Sequence, residues 1–139
     1  MEIKNVVVIG GGVLGSQIAY QAAYCGFNVT IWLRSEGSVG RCQPKLDHLK
    51  EVYHDTITLM ASDEGKTPQN WAIGISDYED FDKEKCLEKA DRAYENIKLE
   101  LDLSKAVGDA DLIIESMAEM LNKKKIFIKR WQTYYQKKQ

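Results

Sequence analysis

Gly10-Gly11-Gly12-Val13-Leu14-Gly15 has the spacing Gly-x-Gly-x-x-Gly and follows directly on the apolar run Val6 to Ile9. The chemistry that spacing serves is the binding of a pyrophosphate. Gly10 permits a tight turn out of a strand. Gly12 lacks a Cβ, so a phosphate can approach the backbone, and Gly15 lets the next helix pack closely on the strand. The start of that helix then offers unbonded N–H groups and a partial positive charge. Val13 and Leu14 complete the turn and join the three glycines as cofactor-binding candidates. Alone the spacing is weak evidence. Placed between a buried strand and a helix, it points specifically to a dinucleotide. A turn that bound nothing would not need all three spaced glycines.

The end of the second apolar run carries the next candidates. A carboxylate there, roughly 20 residues past the glycines, accepts hydrogen bonds from the adenosine ribose of NAD. This chain has Leu33, Arg34 and Ser35 instead, and its nearest acid is Glu36, in the following loop. Arg34 is suited to a charge-assisted bond with a 2′-phosphate, and Ser35 adds a neutral donor. The expected cofactor is therefore NAD or NADP, with NADP favoured by Arg34 and by the missing acid at Leu33. Arg41 adds to this if the loop folds back. The competing reading makes Arg34 an exposed loop residue. His48 and His54, six apart on one helical pattern, do not share a face, so both read as surface residues. No catalytic residue and no metal site is expected. Cys25, Cys42 and Cys86 are widely spaced, which favours reduced thiols over a disulfide or zinc framework.

These residues need a scaffold, and the pattern of the chain supplies one. Ile3 to Ile9 reads as a central parallel strand; Val13, Leu14, Ile18, Ala19, Ala22 and Ala23 recur at helical spacing; Gly26 stops the helix. Val29 to Leu33 is a second strand, which completes a βαβ unit. Residues 35–43 read as a loop with two glycines. Two helical patterns, one resuming after Pro44 and one around Cys86 to Ile97, flank a polar stretch at 62–82. Together they form a helical arm over about 44–96. Lys98 to Leu103 suits a third, less buried strand. Ser104 caps a short helix that Gly108 ends, Leu112 to Ile114 is a fourth, buried strand, and a basic helix fills about 119–138. The fold class is α/β, a partial Rossmann-type parallel sheet of about four strands in the order 3-2-1-4. A helical excursion separates strands two and three.

Composition sets the outer bounds. With 139 residues, 44% hydrophobic and 29% charged, the chain is long enough for one domain and too ordered in composition for general disorder. No apolar run reaches the roughly 18 residues of a membrane span, and no leader pattern precedes the first strand, so a cytoplasmic location is expected. The net charge of −2 hides an asymmetry: residues 1–122 carry −9 and residues 123–139 carry +7. The basic tail reads first as a solvated helix face, and less readily as a nucleic-acid contact.

Val6-Val-Val-Ile-Gly-Gly-Gly-Val-Leu-Gly-Ser-Gln-Ile-Ala19 resembles the opening of the 3-hydroxyacyl-CoA dehydrogenase family, close to its 3-hydroxybutyryl-CoA dehydrogenase members. Asp102 to Glu115 is similar to the family's segment between strands three and four. Glu115-Ser-Met-Ala-Glu119 is similar to its EAxxE signature, with serine replacing alanine. The likeness covers residues 3–35 and 97–126; between them only the two-helix layout matches. It implies that Glu119 and Lys124 belong to the cofactor-binding set along with the glycine turn. It also implies a catalytic His–Glu pair and a helical C-terminal domain downstream of this sequence, so the chain resembles a truncated member. Residues 1–139 are then a single dinucleotide-binding domain, and the family's C-terminal helical domain is absent.

The function this implies is the NAD(P)-binding part of an oxidoreductase that moves a hydride between a nicotinamide and a 3-hydroxyacyl-CoA. An acyl-CoA is a partner only if the missing region completes the site. A free-standing nucleotide-binding or regulatory module is the alternative, and a phosphate or nucleic-acid binder acting through the tail is a lesser one. An open sheet edge beside strand four leaves a homo-oligomer as a further expectation.

Overall fold

The three-dimensional structure is a computed structural model that describes residues 2–117. The expected basic helix at 119–138, with Glu119, Lys124 and the charged tail, lies outside the described residues. Strand β1 (Asn5–Ile9) leads into helix α1 (Val13–Tyr24), and β2 (Asn28–Trp32) follows. Two helices come next, α2 (Glu36–Met60) and α3 (Lys83–Asn96), then β3 (Ile97–Glu100), the short α4 (Leu103–Val107) and β4 (Leu112–Glu115). The sheet has the order β3-β2-β1-β4, and all its pairs are parallel. That is the expected order, with the helical excursion between β2 and β3.

Side chains on a strand alternate between faces, and β1 uses both. Val6 and Val8 join a cluster with Ala19, Tyr20, Ile31, Cys42, Leu46, Ile57 and Ala90 from β2 and the three longer helices. Val7 and Ile9 point the other way, onto Ala106, Val107 and Ala110. Burial on both faces is why the strand reads as continuous valine and isoleucine. Each such buried side chain contributes about 1.5–3 kcal/mol relative to leaving it in water. Tyrosines fasten the helices over the first face: Tyr20 donates to Ala90 O at 2.8 Å, and Tyr24 donates to Ile75 O at 2.8 Å. Burial pushes both phenols well above their usual pKa.

Four local expectations are corrected. Residues 36–43 are not a loop but the opening turns of α2, and Pro44 lies inside the helix. Ser35 caps it by accepting from Ser38 N at 3.3 Å, Glu36 complements the dipole, and Val39, Cys42 and Leu46 pack into the core. These gains outweigh two glycines and a proline that supplies no N–H. Directly after Pro44, Lys45 Nζ donates to Arg41 O at 2.9 Å. In the second correction, α4 is capped by Asp102, whose carboxylate accepts from Lys105 N at 3.1 Å, and not by Ser104. The earlier start brings Leu103 against the second cluster. Third, β4 is less buried than expected, with Leu112 41% exposed, because among the described residues it pairs only with β1. Finally, His54 is not a bare surface residue, since its Nε2 lies 2.6 Å from Asp91 Oδ1 and ties α2 to α3.

Candidate dinucleotide site

In the sheet register Ile9 stands opposite Trp32 on one side and Glu115 on the other. The carboxyl ends of β2, β1 and β4 therefore finish level, at the point where the chain's connections leave toward opposite sides. Such a point leaves a crevice above the strand ends. Here it is a groove of about 580 Å³ lined by Gly10 to Leu14, Gln17, Trp32 to Arg34, Ser38, Arg41, Lys45, Ser116 and Met117.

The glycine turn forms one wall. Gly10 has φ +104°, a conformation that side chains rarely tolerate. A Cβ on Gly15 would lie 2.1 Å from Gly10 O and 2.5 Å from Ser116 Oγ, so only glycine lets α1 approach the strand this closely. A Cβ on Gly12 would meet nothing within 4 Å. Its missing side chain leaves open groove, as a pyrophosphate contact requires. Gly12 also caps α1 without any side-chain hydrogen bond, so the first N–H groups of the helix have no side-chain acceptor at the cap. This wall fits the pyrophosphate of a nicotinamide dinucleotide. Ser116 locks it in place, with Oγ 2.9 Å from Ile9 O and 3.1 Å from Gly10 O. The serine that replaces alanine in the signature thus joins β4 to the turn.

The opposite wall differs in kind. Leu33 is only 2% exposed, and its Cδ2 lies 2.6 Å from where a Cβ on Gly11 would stand, beside Cys42. It forms floor and offers nothing polar. Arg34 lines the groove and is exposed. Ser35 does not line it; its hydroxyl is engaged at the helix cap and 3.2 Å from Ser38 Oγ. Glu36 does not line it either. Arg41 does, from a helix and not from a folded loop, and Lys45 joins it one turn later. No carboxylate lines the groove among the described residues. The sequence reading missed Ser38 and Lys45. Their spacing from Arg41, three and four residues, is visible only once 36–45 is known to be helical.

Neither histidine lines the groove. Cys42 lies beneath the glycine turn, 3.7 Å from Ser16 Oγ, and burial pushes its thiol pKa up. It is therefore protonated and structural at neutral pH. Among the described residues no helix is long and apolar enough to cross a membrane.

Comparison with known proteins agrees with this geometry. No curated protein sequence matches the chain. Among solved structures it is similar to a diketoreductase described as acting on dicarbonyl compounds, with 31% identity and a TM-score of 0.63 over 88% of this chain and 35% of that one. It is similar in fold to 3-hydroxybutyryl-CoA dehydrogenase from Escherichia coli K12, with 24% identity and a TM-score of 0.61, covering 91% of this chain and 21% of that one. The dehydrogenase part of multifunctional enzyme 1 from C. elegans gives 21% identity and a TM-score of 0.61, covering 96% and 24%. The chain thus spans about a third of these proteins or less. The family model for the 3-hydroxyacyl-CoA dehydrogenase NAD-binding domain matches residues 5–70 and 56–139. A match that runs from the first strand to the last residue, on a sheet of the order such a domain needs, shows that the chain belongs to the 3-hydroxyacyl-CoA dehydrogenase family, through its NAD-binding domain.

Proposed function

We propose that the chain supplies the cofactor-holding part of an enzyme that moves a hydride between a nicotinamide and a 3-hydroxyacyl-CoA, and that it favours NADP(H). The observation that carries the reading is the pairing of walls in one groove. An open glycine turn faces three cationic side chains, Arg34, Arg41 and Lys45, with no carboxylate among the described lining residues. Gly10, Gly12 and Gly15, with Val13 and Leu14, hold the pyrophosphate by backbone. Arg34 favours the additional phosphate of NADP(H), while Ser35 serves the cap of α2. Glu119 and Lys124 join the set by family likeness. The bound cofactor would supply the hydride; the described residues of this chain that line the groove bind and orient it.

Hydride transfer to or from a hydroxyl carbon needs a general base within hydrogen-bond reach. His48 and His54 stand on α2, away from the groove, and His54 is engaged by Asp91. The 139-residue chain alone is accordingly catalytically incomplete, and the acyl-CoA binds only once further residues complete the site. Calorimetric titration with NADPH, NADH and acetoacetyl-CoA, alongside a turnover assay, tests this. Dinucleotide binding without acyl-CoA binding or turnover is expected. Turnover of 3-hydroxybutyryl-CoA that disappears in His48→Ala or His54→Ala would overturn the incompleteness.

A further inference from the structure

Ser38, Arg41 and Lys45 succeed one another at intervals of three and four along the opening turns of α2, so all three face the groove. They are organised before any ligand arrives. Arg41 Nη2 lies 3.0 Å from Ser38 Oγ, which is itself 3.2 Å from Ser35 Oγ. A Cβ on Gly37 would stand 3.4 Å from Arg41 Nη1, so the guanidinium is folded back over the first turn of the helix. Helical side chains lean in that direction, toward the N-terminus. Lys45 Nζ sits 2.9 Å from Arg41 O, which brings a second cation to the same side. The result is a planar fork of donors and a hydroxyl folded over the first turn of a 25-residue helix, with an ammonium group one turn further along.

We propose that this face of α2, with Arg41 as the principal contact and Ser38 and Lys45 beside it, binds the phosphomonoester at the 2′ position of the adenosine ribose and so sets cofactor choice. The proposal rests on the reading that the groove takes a dinucleotide and favours the phosphorylated form. Within that reading it moves the discriminating contact from Arg34, in the turn after β2, to a helix. Arg41 is held by the helix backbone and by Ser38, so less side-chain freedom is left to lose on binding. Leu33, directly after β2, is turned into the floor, so no side-chain acceptor stands at that position to compete for the ribose hydroxyls. A ribose phosphomonoester also occurs at the 3′ position in coenzyme A, and the test separates the two.

The full chain is titrated with NADPH, NADH, adenosine 2′,5′-bisphosphate and adenosine 3′,5′-bisphosphate, and so are the Arg41→Ala and Arg34→Ala variants. NADPH is expected to bind at least about tenfold more tightly than NADH, in line with one charge-assisted contact. Arg41→Ala is expected to remove most of that ratio while leaving the NADH dissociation constant within about twofold, which also shows that the variant is folded. The 2′,5′ isomer should bind more tightly than the 3′,5′ isomer. If the ratio survives Arg41→Ala and collapses in Arg34→Ala, the proposal fails while the NADP(H) preference stands. If the unaltered chain prefers NADH, the preference itself fails and the proposal with it. Tighter, Arg41-dependent binding of the 3′,5′ isomer would assign the site to a coenzyme A-type ligand and overturn the proposal.

Discussion

Two strand-to-helix junctions open onto the same groove, and they are built on opposite principles. Between β1 and α1 the chain removes side chains: three consecutive glycines, a helix cap with no side-chain hydrogen bond, and no acid in the first turn. Between β2 and α2 it adds them: Ser35 caps the helix, Glu36 sits in its first turn, and Arg34, Ser38, Arg41 and Lys45 project around it. The first junction gives its N–H groups no side-chain acceptor at the cap; the second satisfies part of its own and contributes side-chain charge instead. A pyrophosphate is common to every dinucleotide, so backbone suffices to bind it. The ribose end is where cofactors differ, and on the proposed reading side chains discriminate there.

The contrast can be broken most severely at Gly15. Its Cβ would stand 2.1 Å from a backbone carbonyl that cannot rotate away. Gly15→Ala should cost about 3 kcal/mol, at the upper end of overpacking penalties, and lower the melting temperature by on the order of 10 °C. Thermal unfolding followed by circular dichroism checks it, and an unchanged midpoint would mean the turn is looser than described. At the second junction the cap is a hydrogen bond and not a steric constraint, so the effect is smaller. Ser35→Ala should destabilise by about 1 kcal/mol in urea unfolding, with dinucleotide binding largely kept. The smallest effect on stability belongs to Gly12. A methyl group there meets nothing within 4 Å, so Gly12→Ala should cost less than about 1 kcal/mol, chiefly as a poorer helix cap. It should nevertheless weaken NADPH and NADH alike, since the methyl group enters the space the pyrophosphate needs. Equal weakening of both, set against the selective loss expected from Arg41→Ala, would sharpen the division between the two junctions.

The same division explains how much was legible beforehand. The strands follow from continuous apolar runs and a glycine turn, which are local patterns that can be read without coordinates, and the 3-2-1-4 order is the economical parallel assembly of those pieces. The glycine wall was legible too, because the positive φ of Gly10 and the close backbone approach at Gly15 are local constraints, and Gly12 completes their spacing. The cationic wall was legible only in part: Arg34 stood out, Arg41 did so only on condition that a loop folded back, and Ser38 and Lys45 did not. Gly37, Gly40 and Pro44 speak against a helix, and only the burial of Cys42 and Leu46 against the sheet and α1 makes one form there. With residues 36–43 read as a loop, the spacing of Ser38, Arg41 and Lys45 carried no meaning. The contact between His54 and Asp91 was hidden for a related reason, being a pairing across 37 residues.

By itself, then, the sequence determined the βαβ opening and the glycine turn, since strand burial and glycine spacing act over a few residues, and the 3-2-1-4 order followed as the assembly of those pieces. The tertiary structure alone decided that α2 starts at Glu36, that Leu33 is buried as the floor of the groove, that Ser116 fastens β4 to the turn, and that Arg41 faces the groove. Each of these depends on which surfaces meet once the sheet has formed, where burying apolar side chains outweighs the local preferences of glycine and proline.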